Sequence, residues 1–523
     1  KEVLGLEKVG ASDNFFLIGG NSIKAIAAVS KLSKDFELTI NDIFEFPTIA
    51  GLSLNIKPSR EVLNKKGVSS AGREAAIPFA AKKEYYPLSY SQKRMYVLNK
   101  MQQDQFAYNI TSGLVLEGDL DKNRLSRAID ELIKRHGSMR TSFEVIDGEP
   151  VQKINQTVKL KKIFKKAEES EVDSCMQEFV KSFELSKPPL FNIMLLEVSA
   201  KKHIFIMDAH HIIMDGISLE IFYDELLGLY EGKDPGPAAY QYSDYSEWER
   251  SDEVQKSLLK QELYWKEVFK TDVPVLSLPQ DYPRPAVKSS EGDALIFTID
   301  SAVTQNLKKL CLETGSTMFM LLLSAFNLLL HKYSGNDDIV IGTPCSGRTV
   351  SELDRVIGMF VSTVPMRNYP AAQKTFRDFL IEVRKNTLDA FNNQQFPFDR
   401  LVEALNVKRD PSRNPIFDVM FSFGTKSGFE CPKGLKVSSY DTVRESAQFD
   451  IVLDANEDED SIEAALEYST RLFDRKTIIR MSEHIKTILG EIAANADKKI
   501  ADINILPESE KNKILVEFND TAL

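Results

Sequence analysis

The spacing of apolar positions predicts a small helical region at the start of the chain. In residues 21–36, "NSIKAIAAVSKLSKDF", apolar side chains recur with helical spacing. A shorter helical pattern, "TINDIFEFPTIAGLS", follows and is interrupted by Pro47, which cannot continue a helix. Residues 57–84 lose this periodicity and are rich in charged, small and Gly/Ser/Pro residues. This composition predicts an interdomain linker that is extended and mobile in places.

Beyond residue 85 strand patterns alternate with helix patterns. "SGLVLEG", "HIFIMDAH", "DALIFTI" and "DDIVIGTP" are typical of strands, whereas "LDKNRLSRAIDELIKRHG", "ISLEIFYDELLGLYEG" and "EVQKSLLKQELYWKEVF" are typical of amphipathic helices. The Pro-rich stretch 273–286 separates two regions of similar size and content, so it predicts a crossover between two related α/β lobes. The longest apolar run, 318–330, is too short to cross a bilayer and predicts a buried helix.

Composition narrows the function classes. The 523 residues exceed one ordinary domain, and the net charge of −11 lacks the basic excess of nucleic-acid binders. The start "KEVLGLEKVG" has no apolar region typical of a signal peptide. The four cysteines are far apart and form no CxxC pair, which argues against a zinc site or a disulfide framework. We therefore expect a cytoplasmic protein that binds neither nucleic acid nor membrane.

Ser22 is the first residue that is a candidate for chemistry. It follows the glycine pair of "DNFFLIGGNSIKA" and lies at the predicted start of a helix. On this pattern alone two roles remain open. The hydroxyl would cap the helix by accepting a hydrogen bond from a free backbone N–H. Alternatively, it would be exposed at the positive end of the helix dipole, where a phosphodiester is favoured.

The segment "MDAHHIIMDG", residues 207–216, contains two of the six histidines of the chain. His210 and His211 are adjacent, so in an extended segment they point to opposite sides and have different roles. Zinc ligation is disfavoured, because helical zinc motifs place their histidines three or four residues apart. The residues alone leave open whether the pair is structural or includes the base of a reaction.

Both segments resemble motifs of known families. "DNFFLIGGNSIKA" resembles the modification site of peptidyl carrier domains. The pattern HHxxxDG resembles the signature of the condensation domains of non-ribosomal peptide synthetases, such as those of the tyrocidine and gramicidin type. Other stretches resemble the remaining condensation motifs, in order along the chain: "LSYSQKRMYVL", "RHGSMRTSF", "YSDYSEW", "VIGMFVSTVPMR", "NQQFPFDRLVEAL" and "RDPSRNPIFDVMFSF".

This resemblance implies an α+β protein with a small four-helix carrier domain and a two-lobed, chloramphenicol-acetyltransferase-like α/β condensation domain. We expect the carrier at residues 1–56, incomplete at its N-terminus, and the linker at 57–84. The lobes are expected at 85–268 (the N-lobe) and 269–507 (the C-lobe). Residues 508–523 resemble the start of a lead-in to an adenylation domain.

The resemblance also implies roles for single residues. Ser22 would carry covalent 4′-phosphopantetheine. His211 would act as a general base or position the attacking amine, and the Gly216 backbone amide would face the developing oxyanion. His210 would pack and support the loop.

Asp215 has two possible roles. It would orient the imidazole as in a catalytic triad or, as the resemblance favours, form a structural ion pair with Arg348 of the other lobe. No metal is expected.

The implied function is peptide-bond formation in antibiotic biosynthesis. An upstream carrier-bound aminoacyl or peptidyl thioester would react with a downstream carrier-bound aminoacyl amine. The linker leaves no room for an epimerisation domain, so we expect an L-configured donor. Expected partners are the upstream and downstream adenylation domains, the downstream carrier and a phosphopantetheinyl transferase. The alternatives are an epimerisation domain, which shares HHxxxDG, and a non-catalytic docking domain, which usually lacks the intact histidine motif. The segment "RDPSRNP" and the end of the chain favour condensation.

Overall fold

The structure is a computed structural model that describes residues 1–32, 35–58, 77–101, 108–408, 410–425, 428–440, 446–458 and 460–519. Most of the predicted linker, residues 59–76, lies outside the described residues. The last part of the predicted linker packs against both lobes. Ile77 is fully buried in an apolar cluster with Tyr242 of the N-lobe and Phe360 of the C-lobe, and the Ala80 backbone N–H donates to Asp244 Oδ1 at 2.8 Å.

The described part of the carrier region contains three α-helices and a pair of short strands. The helices are α1 (Ser22–Leu32), α2 (Ile40–Glu45) and α3 (Ile49–Asn55), and the antiparallel strands are β1 (Phe36–Glu37) and β2 (Lys57–Pro58). The predicted interruption at Pro47 separates α2 from α3. Thr48 caps α3 by accepting a hydrogen bond from the Gly51 N–H, so the chain restarts a helix directly after the proline.

The N-lobe combines helices with one large and one small sheet. Its elements are β3 (Tyr86–Pro87), α4 (Tyr90–Met101), β4 (Asn109–Gly118), α5 (Lys122–Arg135), β5 (Thr141–Ile146), β6 (Glu149–Ile154), β7 (Lys162–Lys166), α6 (Val172–Phe179), β8 (Phe191–Ser199), β9 (Lys202–His210), α7 (Gly216–Glu231), α8 (Tyr242–Trp248) and α9 (Asp252–Val268). Strands β3, β6 and β5 form the small sheet in that order.

The C-lobe is built on a six-stranded mixed sheet of order β10-β16-β15-β13-β11-β12. Its elements are β10 (Gly292–Ile299), α10 (Ser301–Thr314), α11 (Met318–Ser334), β11 (Ile339–Cys345), β12 (Ser362–Asn368), α12 (Phe376–Asn392), α13 (Phe398–Ala404), β13 (Val419–Thr425), β14 (Leu435–Tyr440), β15 (Ile451–Glu457), β16 (Ile462–Ser469), α14 (Arg475–Ala494) and α15 (Glu508–Leu515). As predicted from the apolar run, every residue from 318 to 330 in α11 is buried. In the described parts of the chain no single helix is long and apolar enough to span a membrane. Helices α10 and α11 together are long and apolar enough for a span by length and composition alone, but they are bent by 105° relative to each other.

The two lobes exchange elements rather than following one another as separate halves. Strand β14 lies in the C-lobe sequence but pairs antiparallel with β4, which gives the large N-lobe sheet the order β14-β4-β9-β8-β7. Leu435 and Val437 of β14 are buried in the N-lobe core. This pairing covers an edge of β4 that would otherwise expose unpaired backbone groups. Conversely, Trp265 of α9 packs in the C-lobe core.

Candidate active site

The double histidine lies where a buried central strand ends. β9 pairs with β4 on one side and β8 on the other, and it ends at His210. A single 3-10 turn, His211–Ile213, then leads to α7, which begins at Gly216. His210 is fully buried, whereas His211 is partly exposed. The two neighbouring rings therefore occupy different environments, as expected for adjacent residues of an extended segment.

His210 is held on both ring nitrogens. Its Nδ1 accepts a hydrogen bond from the Ile212 backbone N–H at 3.1 Å, so the neutral ring carries its proton on Nε2. Its Nε2 lies 3.3 Å from Nδ2 of the Asn99 side-chain amide. Burial, and secondly the neighbouring His211, lower the pKa of His210 to about 4. His210 is therefore neutral at physiological pH and stabilises the turn that carries His211.

The imidazole of His211 is in the neutral state that a proton acceptor requires. Burial lowers its pKa below the ordinary histidine value, although the negative charge of Asp215 opposes this shift. Its backbone N–H donates to the Tyr108 carbonyl at 2.8 Å, which fixes the start of the turn. Its Nδ1 is buried and makes no hydrogen bond to the residues that the structure describes. His211 is a partly exposed residue, and its neutral imidazole is suited to take a proton from a bound amine.

Asp215 has no free oxygen with which to orient the imidazole. Its Oδ1 accepts from the Ser218 N–H at 2.8 Å and from Arg348 at 3.1 Å. Its Oδ2 accepts from Arg348 at 3.0 Å and from the Phe360 N–H at 3.0 Å. Asp215 and Arg348 are 2% and 5% exposed, and the guanidinium also lies 4.2 Å from the centroid of the Phe360 ring. This arrangement is a buried interlobe ion pair in which both oxygens of the carboxylate are engaged.

Further hydrogen bonds join the same part of the N-lobe to residues 356–360 of the C-lobe. The Ser218 hydroxyl donates to the Gly358 carbonyl at 2.8 Å and accepts from the Gly358 N–H at 3.0 Å. The hydroxyls of Ser138 and Tyr242 donate to the carbonyls of Ile357 and Met359. Sequence reasoning assigned no specific role to Ser138, Ser218 or Tyr242, although Ser138 and Tyr242 lie in motifs quoted above. Only the fold brings their hydroxyls to backbone groups of a segment more than a hundred residues away.

Gly216 borders open space at the N-terminus of α7. It is exposed, and a Cβ atom added there would meet no other atom within 4 Å. Packing therefore does not explain why this position lacks a side chain. Its backbone amide belongs to the first turn of a helix, where N–H groups and the helix dipole favour negative charge.

Ser22 is not the cap of its helix. The Lys24 backbone N–H donates to Asn21 Oδ1 at 2.9 Å, so Asn21 performs the capping that the sequence left open for Ser22. The preceding turn requires both glycines. Gly19 has a φ of +95°, and a Cβ on Gly20 would lie 2.4 Å from Phe15 atoms. The Ser22 hydroxyl is thus free of capping at the helix N-terminus, where a phosphodiester is favoured, but it is not exposed as the second alternative required.

The Ser22 hydroxyl faces the C-lobe. Its Oγ lies 2.8 Å from Oγ1 of Thr317, which is the N-cap residue of α11, and Ser22 is 2% exposed. The structure thus brings together Asp215 and Arg348 across the lobes and places His210, His211 and Gly216 on one short segment. Ser22 lies apart from them, against Thr317. In the described part of the chain no group of three or more His, Cys, Asp or Glu residues is arranged to hold a metal ion.

Comparison with known proteins assigns the family. The family model "Condensation domain" matches residues 82–515, and the model "Phosphopantetheine attachment site" matches residues 1–56. The chain therefore belongs to the condensation-domain family and carries a covalent 4′-phosphopantetheine attachment site in its first 56 residues. The family confirms the predicted α+β class.

Similar proteins are antibiotic synthetases. Gramicidin S synthase 2 of Brevibacillus brevis is 41% identical over 526 residues, which are 99% of this chain and 12% of that protein. Tyrocidine synthase 3 of Brevibacillus parabrevis is 41% identical over 527 residues, which are 100% of this chain and 8% of that protein. The chain thus spans about a tenth of the length of the curated relatives that it matches.

Solved structures show the same fold. The X-domain from teicoplanin biosynthesis, solved in complex with OxyB, has a TM-score of 0.75 at 25% identity and covers 84% of this chain and 100% of that one. A four-domain nonribosomal peptide synthetase bound to AMP and glycine also has a TM-score of 0.75, at 24% identity, and covers 85% of this chain and 35% of that one.

Proposed function

We propose that the chain forms a peptide bond between a donor thioester on an upstream carrier and the amine of an acceptor on a downstream carrier. The observation that carries this proposal is the neutral ring of His211, a partly exposed residue that lies one short turn before Gly216, the first residue of α7. We assign residues 1–56 to the carrier, 57–84 to the linker, 85–268 and 269–507 to the lobes, and 508–523 to the lead-in to an adenylation domain.

The reaction requires one proton to move. A free α-amine has a pKa of about 8, so much of it is protonated at neutral pH and only the neutral form attacks. As the N–C bond forms, the carbonyl oxygen becomes negative, and the backbone amide of Gly216 is suited to stabilise it. His211 accepts the amine proton, or holds the amine in place while it is lost. Collapse of the adduct would break the C–S bond, and the proton taken from the amine would balance the charge of the sulfur that leaves.

The chain's own residues supply positioning. The Asp215–Arg348 pair and the hydrogen bonds of Ser218 hold the loop of His211 against the other lobe. Phosphopantetheine on Ser22 supplies the thiol that tethers the donor. Holding two tethered reactants together accounts for much of the expected acceleration.

Several finer assignments follow from the same proposal. The donor is L-configured, because the short linker leaves no room for an epimerisation domain. The partners of the chain are the neighbouring adenylation and carrier domains of the same synthetase and a phosphopantetheinyl transferase. A cytoplasmic location is supported by the four cysteines, none of which forms a disulfide.

A single-turnover assay tests the function. Ser22 is modified and loaded with an aminoacyl group, an aminoacyl carrier is added, and the dipeptidyl product is measured by mass. The wild type is compared with His211→Ala and with the control His331→Ala, which changes a histidine of α11. We expect product from the wild type and the control but little from His211→Ala.

Other results would reject the proposal. Recovery of a donor with inverted α-carbon and no amide product would identify an epimerisation domain. Absence of any reaction, with both carriers verified as loaded, would favour a docking domain. Donors of both configurations are compared in parallel, and a preference for the D-form would reject the L-donor assignment.

A further inference from the structure

The carrier region rests on one face of the C-lobe. Asn392, the last residue of α12, donates from Nδ2 to Asn41 Oδ1 at 3.1 Å. A cation–π contact lies nearby, in which the guanidinium of Arg384 is 5.8 Å from the centroid of the Phe44 ring. Phe44 is 6% exposed and belongs to the same apolar cluster as buried residues of α12. We call this face, formed by Thr317, Arg384 and Asn392, the carrier rest.

The carrier rest hides the hydroxyl of Ser22. The Oγ atom points at the Thr317 hydroxyl, 2.8 Å away, and the residue is only 2% exposed. An enzyme that transfers a group to this oxygen must bring its own catalytic residues and its substrate to the oxygen. While the carrier region is docked, the C-lobe blocks access to this oxygen.

The contact between the carrier region and the C-lobe is suited to reversible association. A cavity of about 230 Å³ remains between the two parts, lined by Asn41, Glu45, Arg384, Lys385 and Leu388. An interface with such a gap and few polar contacts lacks the close packing of a permanent one. Burial lowers the pKa of Arg384, while the negative charge of Glu45 on the carrier region opposes this shift.

We infer that the unmodified carrier rests on this face of the C-lobe with Ser22 hidden, so that phosphopantetheinylation takes place only from the undocked state. This inference rests on the proposed role of Ser22. In the modification, Ser22 Oγ attacks the phosphorus of coenzyme A that bears the pantetheine. The new P–O bond forms as the pyrophosphate bond breaks, adenosine 3′,5′-bisphosphate leaves, and the serine proton passes to solvent. The fraction of undocked chains therefore sets the observed rate.

The test measures modification rather than peptide synthesis. The full, unmodified chain is incubated with coenzyme A and a phosphopantetheinyl transferase at limiting concentration, and the initial rate of mass gain is followed. Asn392→Ala removes one hydrogen bond of the carrier rest, and Arg384→Glu places a negative charge beside Glu45. Lys260→Glu, an exposed position on α9, makes the same charge change as Arg384→Glu elsewhere and is the matched control.

We expect Asn392→Ala to accelerate modification about 2- to 10-fold, the range that corresponds to one lost hydrogen bond. Arg384→Glu should accelerate it at least as much, and Lys260→Glu should match the wild type. Equal rates for all four proteins, with the label mapped to Ser22 and unchanged melting temperatures, would overturn the inference and leave the proposed function standing. Label mapped to another residue would instead overturn the proposed role of Ser22.

Discussion

The substitution Asp215→Asn separates a structural role of this carboxylate from a catalytic one. The four hydrogen bonds accepted by Asp215 come from Ser218, Phe360 and twice from Arg348. Asparagine keeps one accepting oxygen, but its NH₂ group would face donors on the other side. Arg348, which is 5% exposed, would also lose its charged partner.

The expected loss of stability is large for a single substitution. Removing one partner of a buried ion pair costs about 3–5 kcal/mol. For a cooperative unit of roughly 200–430 residues, the unfolding entropy of about 2.1 cal/mol/K per residue converts this cost into a fall in melting temperature of about 3–12 °C. We expect condensation activity to fall in parallel with the folded fraction.

Scanning calorimetry and single-turnover product yield are measured on the same samples. The matched control is Asp224→Asn, because Asp224 also lies on α7 and pairs with an arginine, Arg355 at 2.8 Å, but both side chains are about half exposed. Its melting temperature should stay within about 1 °C of the wild type. The double variant Asp215→Leu/Arg348→Met should recover much of the lost stability, because it leaves no unpaired buried charge.

The opposite pattern would refute this reasoning. An Asp215→Asn protein that has the melting temperature of the wild type but forms no product would show that the carboxylate acts on His211 itself. The ion pair would then be incidental to stability.

Three further predictions concern the loop between β9 and α7. His211→Ala should reduce single-turnover product by about 100-fold or more while the melting temperature stays unchanged, since Nδ1 makes no hydrogen bond to the described residues that would be lost; a loss of stability would assign the residue to packing. Gly216→Val should leave the melting temperature unchanged, because its side chain enters open space, yet lower the condensation rate; full activity would remove Gly216 from the site. Because the pKa of His211 is lowered, the imidazole stays neutral as the pH falls through the ordinary histidine value of about 6.5. The logarithm of the rate should therefore rise with a slope of about one up to about pH 7, from the acceptor amine alone, and level off near the amine pKa of about 8. The slope should stay near one just below pH 6.5, where an unperturbed imidazole would add a second proton; a slope close to two at about pH 5.5–6 would contradict the lowered pKa.

Local sequence patterns determined the elements around the site. The apolar run 318–330 predicted a buried helix, and α11 contains it fully buried. The strand, short turn and helix around His211 follow from a change of periodicity at a single point of the chain. The adjacency of the two histidines also predicted their different environments, because neighbouring side chains of a strand point to opposite sides. These features depend on residues within a few turns of one another.

Capping and strand order were decided by the tertiary structure. Asn21, rather than Ser22, caps α1, which is a choice between neighbouring residues that propensity alone does not resolve. Strand β14 joins the N-lobe sheet although its sequence lies in the C-lobe, because the free edge of β4 needs a partner. A periodic pattern reports that a face is buried, but it does not report what covers that face.

The contacts that assemble the candidate site join residues that are far apart along the chain. Asp215 and Arg348 are 133 positions apart, and Ser22 and Thr317 are 295 positions apart. Resemblance to the family suggested the first pair, whereas nothing in the sequence indicated the second. The sequence by itself determined which helices and strands form and which residues are chemically suited to act. Only the packing of the whole chain decided which of those residues meet, since a buried charge or hydroxyl must find its partner wherever the fold places one.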